Sequence, residues 1–165
     1  VFDYKTAMTD GHKYGQYVAD KLELEGISCT VPELYLVKTM EEIPHMTETE
    51  KDIIIDATGD CLEVKSRNIE FTSIEDFPWG NIIVDTVSGY KAKIQKPLAY
   101  VMVSQLTGCA FAVMSDTEQH WTTKRLNDKQ RGHDDNFYVV TKEHFVSFDY
   151  LVDFIKHEEF RWIGR

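Results

Sequence analysis

The stretch KDIIIDATGDCLEVKSR, residues 51–67, decides how this chain reads. Two β-prone runs, DIIIDA and CLEVKSR, flank Thr58-Gly59, a turn signal, and together they predict a hairpin. With the turn centred on Thr58-Gly59, Asp52 lies opposite Lys65, Ile54 opposite Glu63 and Asp56 opposite Cys61. Side chains directly opposite one another share a face of a sheet. Asp52, Glu63 and Lys65 therefore converge on one face, while Ile53, Ile55, Leu62 and Val64 take the other. Three charged groups stand where apolar residues would pack more cheaply, which makes that face a candidate site.

Working outward, TDGHKYGQYVADKLELEG (9–26) predicts a helix capped by Thr9 or Asp10 and stopped at Gly26. ISCTVPELYLV (27–37) reads as extended, and EEIPHMTETEK (41–51) as an acidic loop broken at Pro44. NIIVDTV, AYVMVSQ and CAFAVMS predict three further strands, the last two joined around Leu106-Thr107-Gly108. HWTTKRLNDKQRGHDDN (120–136) reads as a long polar loop, FYVVT as a last short strand, and SFDYLVDFIKHEEF as an amphipathic helix capped by Ser147. The order α-β-β-β-β-β-β-α implies a mixed α/β (α+β) fold, one domain over residues 1–165, with a sheet flanked by an N-terminal and a C-terminal helix.

The composition is that of an ordinary globular protein, 42% hydrophobic and 28% charged, with no apolar run long enough to span a bilayer and no basic-then-apolar pattern that points to secretion. Cys29, Cys61 and Cys109 are odd in number and widely spaced, which suits free thiols in a reducing cytoplasm better than disulfides or a zinc site. The net charge of −10 argues against a broad nonspecific nucleic-acid surface. Between Thr86 and Arg131, however, seven cations (Lys91, Lys93, Lys96, Lys124, Arg125, Lys129, Arg131) face three acids (Asp116, Glu118, Asp128). Charge is segregated, and a basic face of that kind can meet a polyanion.

Two carboxylates beside a lysine suit phosphodiester hydrolysis. A magnesium ion held by one or two carboxylates binds water and phosphate oxygen together, and a lysine orients the water and offsets developing charge. Asp52, ten intervening residues, then Glu63-Val64-Lys65 and Ser66-Arg67 resemble the PD-(D/E)XK nuclease superfamily, which includes restriction endonucleases and Holliday-junction resolvases. Lys51 stands in place of the usual proline. In the first helix, Gly15-Gln16-Tyr17-Val18-Ala19-Asp20-Lys21-Leu22 matches the superfamily pattern, with Gln16 where a glutamate is expected.

The resemblance implies a restriction-endonuclease-like mixed sheet and a Mg²⁺- or Mn²⁺-dependent deoxyribonuclease acting in the cytoplasm, the host's if the chain is encoded by a phage or mobile element. It implies metal ligation by Asp52, Glu63 and the main-chain carbonyl of Val64, a water-positioning role for Lys65, and a supporting role for Gln16. DNA is the expected substrate, with Lys91, Lys93, Lys124, Arg125, Lys129 and Arg131 as candidate phosphate contacts and a homodimer as a candidate assembly.

Plainer readings stand beside these. The lesser alternative for Asp52, Glu63 and Lys65 is a set of cross-strand ion pairs on a solvated face, each worth under about 1 kcal/mol. Asp56 and Asp60 read as turn residues, and Asp85 as either a strand-end acid or a site neighbour. His133, Asp134 and Asp135 read as an exposed loop rather than a metal site, and Trp79, Trp121 and Trp162 as packing. The competing function is a non-enzymatic acidic binding protein, an inhibitor or DNA mimic, that keeps the fold.

Overall fold

The computed structural model describes residues 4–33, 51–129 and 131–163. Helix α1 (Tyr4–Leu24) begins ahead of both Thr9 and Asp10, so neither residue caps it. A capping side chain marks a start only where the preceding chain cannot continue the turn, and nothing in residues 4–8 is a glycine or proline. The helix closes where expected: Gly26 takes φ 85°, and the Ile27 N–H donates to the Leu22 carbonyl at 3.0 Å. Of the extended segment, only β1 (Cys29–Thr30) forms a strand among the described residues. Residues 34–50, with most of the acidic loop, lie outside them.

The fold is mixed α/β, with two sheets, an N-terminal helix and a C-terminal helix. The first sheet runs β1-β2-β3-β5-β6-β9, from β2 (Ile53–Ile55), β3 (Cys61–Arg67), β5 (Ala99–Ser104), β6 (Ala110–Met114) and β9 (Val146–Ser147). Its β3–β5 pair is parallel and its other neighbours are antiparallel. A parallel pair needs a long crossover. Here the crossover carries β4 (Asn81–Thr86) and the short helix α2 (Val87–Ala92), which the sequence pattern did not predict. Strand β4 then pairs with β8 (His133–Thr141), and β8 with β7 (Thr122–Asp128), forming the second sheet.

Side-chain alternation divides the core in two. On one face of the first sheet Leu62, Val64, Val101, Val103 and Ala112 pack with Val18, Ala19 and Leu22 of α1 and with Leu151, Val152 and Ile155 of α3 (Phe148–Ile163). On the other face Tyr100, Met102, Phe111 and Val113 meet Ile82 and Val84 of β4, Val140 of β8, and Phe71, Phe77, Tyr90 and Trp121. The layers are helices, sheet, sheet. Glu63, Lys65 and Arg67 lie on the second face of β3, toward β4. The expected cap of the last helix is in place, with the Tyr150 N–H donating to Ser147 Oγ at 3.1 Å.

Two sequence expectations need correction. The segment 120–136 is not a loop: Thr122–Asp128 and His133–Thr141 form an exposed hairpin arm turning through Gly132 at φ 75°. Its pattern gave no warning because almost every β7 residue is exposed, so no buried face imposes an alternation of two. The register of the β2–β3 hairpin is also shifted. Ile53 pairs with Leu62 and Ile54 with Cys61, each partner two residues away from the expected one. Either favoured two-residue turn at Thr58-Gly59 would need positive φ at Thr58, which a β-branched residue resists. The wider turn places only Gly59 there, at φ 76°. A slip of two leaves every side chain on its expected face.

Candidate active site

Extending the observed register by one step brings Asp52 level with Glu63 rather than Lys65. The ladder ends at Ile53, and Asp52 turns its carboxylate onto β3, where Oδ2 accepts the Val64 N–H at 2.7 Å. Asp52 is therefore anchored to the backbone between Glu63 and Lys65. Helix α1 crosses close behind it: a methyl group on Gly15 would lie 3.5 Å from the Asp52 carbonyl oxygen.

Both acids open onto one cleft of about 320 Å³, whose walls include Lys51, Asp52, Cys61, Glu63, Lys93 and Gln95. Lys51 donates to the Gln95 amide oxygen, and Gln95 donates to the Gly59 carbonyl at 3.1 Å, so the hairpin turn and the segment after α2 are tied across it.

Glu63 is held by two lysines. Lys65 Nζ pairs with Oε1, and Lys93 Nζ lies 3.2 Å from Oε2. Lys93 also reaches Asp85 Oδ2 at 2.8 Å, and the same oxygen accepts the Tyr100 hydroxyl at 2.8 Å. The result is a continuous network, Lys65–Glu63–Lys93–Asp85–Tyr100, drawn from β3, the residue after α2, β4 and β5. A β-bulge in β4 creates the Asp85 position. The β4–β8 register shifts between Ile83 and Asp85, which leaves Val84 buried and still turns Asp85 into the network. Thr86 then caps α2, accepting the Gly89 N–H at 3.0 Å, and α2 delivers Lys93 at its C-terminal end.

The electrostatics follow from this packing. Burial pushes Asp85 up, but the Lys65 charge and the hydrogen bonds from Lys93 and Tyr100 outweigh it and hold the carboxyl below the usual range. Burial pulls Lys93 down, and Glu63 and Asp85 more than restore it, leaving it above an ordinary lysine. Burial and the neighbouring Glu63 and Asp85 drive the Tyr100 hydroxyl well up, so it remains a donor.

The structure thus brings Asp52, Glu63, Val64 and Lys65 together and adds Lys93, which the sequence placed among phosphate contacts, as an ion-pair partner. Gln16 stays apart, with its amide donating to Asp20 Oδ1 at 2.8 Å on the exposed side of α1. Lys91 is exposed on α2. Lys124, Arg125, Lys129 and Arg131 belong to the β7–β8 arm, and none of them lines the cleft. Arg125 faces Asp134 at 3.8 Å, and Arg131 faces Asp128 at 3.7 Å. Asp56 takes a turn role, accepting from Ser28 and Thr30 at 2.5 and 2.7 Å. Trp121 is core and Trp79 is exposed. The cysteines are free, and burial pushes the Cys29 thiol up to about 12.

Asp85 and Tyr100 are the residues that sequence reasoning did not assign. Asp85 left one trace, an acid within the β-run NIIVDTV that read as either a strand-end residue or a site neighbour, and Tyr100 left none. No family model, curated protein or solved structure compared with this chain matches it. No helix among the described residues is long and apolar enough to cross a membrane.

Proposed function

We propose that this protein is a divalent-cation-dependent deoxyribonuclease of the PD-(D/E)XK type, hydrolysing DNA phosphodiester bonds in the cytoplasm. The observation that carries this reading is the 2.7 Å hydrogen bond from the Val64 N–H to Asp52. It fixes one carboxylate beside the backbone of the residue that separates Glu63 from Lys65, so the three groups are held on a rigid strand.

The donor set suits magnesium or manganese. Among the described residues no three His, Cys, Asp or Glu side chains gather as a metal cluster, so an all-protein cage is not what these residues offer. Two carboxylates on an open cleft match a hard cation that keeps water and substrate oxygens in its shell. Glu63 already holds positive charge on both of its oxygens. Asp52 and Glu63 would hold the ion, with the Val64 carbonyl beside them, and when bound it supplies Lewis-acid activation of water and phosphate. Lys65, released from Glu63, orients the attacking water and offsets charge on phosphate oxygens. Lys93 and Tyr100 keep Asp85 ionised and fixed, which stabilises the charge of the wall opposite β3.

The second reading, an acidic binding protein that keeps the fold, draws on the same network: lysines already neutralise both oxygens of Glu63, and Gln16 turns away. Melting in manganese separates the two. Occupancy at a hundred times the dissociation constant adds about 2.7 kcal/mol, or roughly 5–10 °C for a chain of this size. Millimolar Mn²⁺ is expected to raise the midpoint of the wild type by several degrees and that of Glu63→Gln by far less. Equal responses to Mn²⁺ and to sodium chloride of matched ionic strength would replace the nuclease reading with the binding-protein one.

A further inference from the structure

Arg67 ends β3 on the face that carries Glu63 and Lys65. At about 3.3 Å per residue it lies roughly 7 Å along the strand from Lys65 and 13 Å from Glu63. The residue is half-buried between β3 and β4, and burial pulls its proton affinity down, with no acid among the described residues to restore it. Nη1 donates to the Ser66 carbonyl at 3.0 Å, and Nη2 approaches the Ile83 carbonyl at 3.5 Å. Both partners are neutral. Among the described residues no carboxylate lies within ion-pair distance of it, whereas Lys65 and Lys93 are both paired.

An arginine withdrawn from water is ordinarily paired with an anion. A guanidinium has five N–H donors in a planar fork, and two carbonyls leave most of them uncommitted. Arg67 is half-buried and not sealed, so part of the residue still meets solvent. A half-buried guanidinium with no carboxylate partner among the described residues suits the bidentate geometry of a phosphate.

We propose that Arg67 is a phosphate seat, holding a backbone phosphate of a polynucleotide strand next to the one that faces Lys65. The seat itself rests on the geometry of Arg67; the polynucleotide as its source rests on the nuclease reading. Arg67 would then set the register of the strand over Asp52, Glu63 and Lys65.

The test uses wild type, Arg67→Lys and Arg67→Met, the last keeping the apolar stem. Melting in sodium phosphate is compared with sodium chloride at equal ionic strength, without metal. Phosphate is expected to raise the wild-type midpoint above the chloride value, to do so less in Arg67→Lys, and to have no such effect in Arg67→Met. A phosphate effect absent from wild type, or equally large in Arg67→Met, overturns the seat. If Arg67→Met does not fold, Arg67→Lys carries the comparison, and a full wild-type response in it counts against the seat.

The second arm measures binding of a fluorescent single-stranded oligonucleotide in EDTA at several salt concentrations. Loss of one phosphate contact is expected to reduce the slope of log K against log salt by about 0.7 in Arg67→Met. An unchanged slope in a variant that has lost the phosphate effect overturns the polynucleotide and leaves free phosphate as the ligand. The manganese melt of Glu63→Gln does not involve Arg67, so failure of the nuclease reading is seen separately.

Discussion

Replacing Lys93 by methionine removes one ammonium while keeping most of the stem, and the structure sets the size of the effect. Lys93 serves two carboxylates, Asp85 Oδ2 at 2.8 Å and Glu63 Oε2 at 3.2 Å, with about a quarter of its side chain exposed. Breaking a fully buried pair costs about 3–5 kcal/mol, and an exposed one less than about 1 kcal/mol. Glu63 keeps Lys65, and Asp85 keeps the Tyr100 hydroxyl, so the cost falls between these limits. About 2 kcal/mol is expected, or roughly 4–8 °C in the midpoint.

The pH dependence gives the sign. Lys93 titrates above an ordinary lysine in the folded protein. Its contribution is therefore complete below about pH 10.4, the unfolded value, and is lost as pH rises through the folded value. Urea or thermal melts of wild type and Lys93→Met should differ by a constant amount from pH 7 to 9 and converge toward pH 11. Equal stability at pH 7, or a gap that persists unchanged at pH 11, would refute the charge network as described.

Two glycines next to the site should respond in opposite directions. Gly15→Ala introduces a methyl at ordinary contact distance from Asp52 and gains helix propensity, so it should stabilise by up to about 1 kcal/mol. Gly89→Ala places its methyl 2.6 Å from Thr86 Oγ1 and 3.2 Å from Asp85 Oδ1. Loss of that cap with displacement of Asp85 should cost about 1–3 kcal/mol, read by urea unfolding. Asp85 itself titrates below an ordinary carboxylate in the folded state. Its contribution is present above about pH 4 and lost as pH falls through the folded value. Asp85→Asn should therefore be less stable than wild type at pH 7, and the gap should narrow below pH 4.

What the sequence revealed and what it concealed divide along physical lines. The face assignment of Asp52, Glu63 and Lys65 was legible because Ile53, Ile55, Leu62 and Val64 bury the opposite face, and a period of two survives a register slip of two. The pairing itself was not legible, since it turned on whether Thr58 tolerates positive φ. Asp85, Lys93 and Tyr100 meet through a bulge at Val84, a six-residue helix and a parallel crossover, and none of these leaves a periodic mark. The β7–β8 arm was hidden because it buries almost nothing along β7. Gln16 matched a helix pattern that reports which residues share a turn, while the orientation of its side chain depends on Asp20 four residues on.

The most direct test of the central claim is cleavage itself. Wild type and Lys65→Ala would be incubated with supercoiled, linear, single-stranded and four-way-junction DNA in magnesium or manganese. The account predicts metal-dependent cleavage of at least one substrate by the wild type and its loss in a Lys65→Ala protein that still melts cooperatively. Folded wild type that leaves every substrate intact, or a Lys65→Ala variant that cuts as fast as wild type, would contradict it.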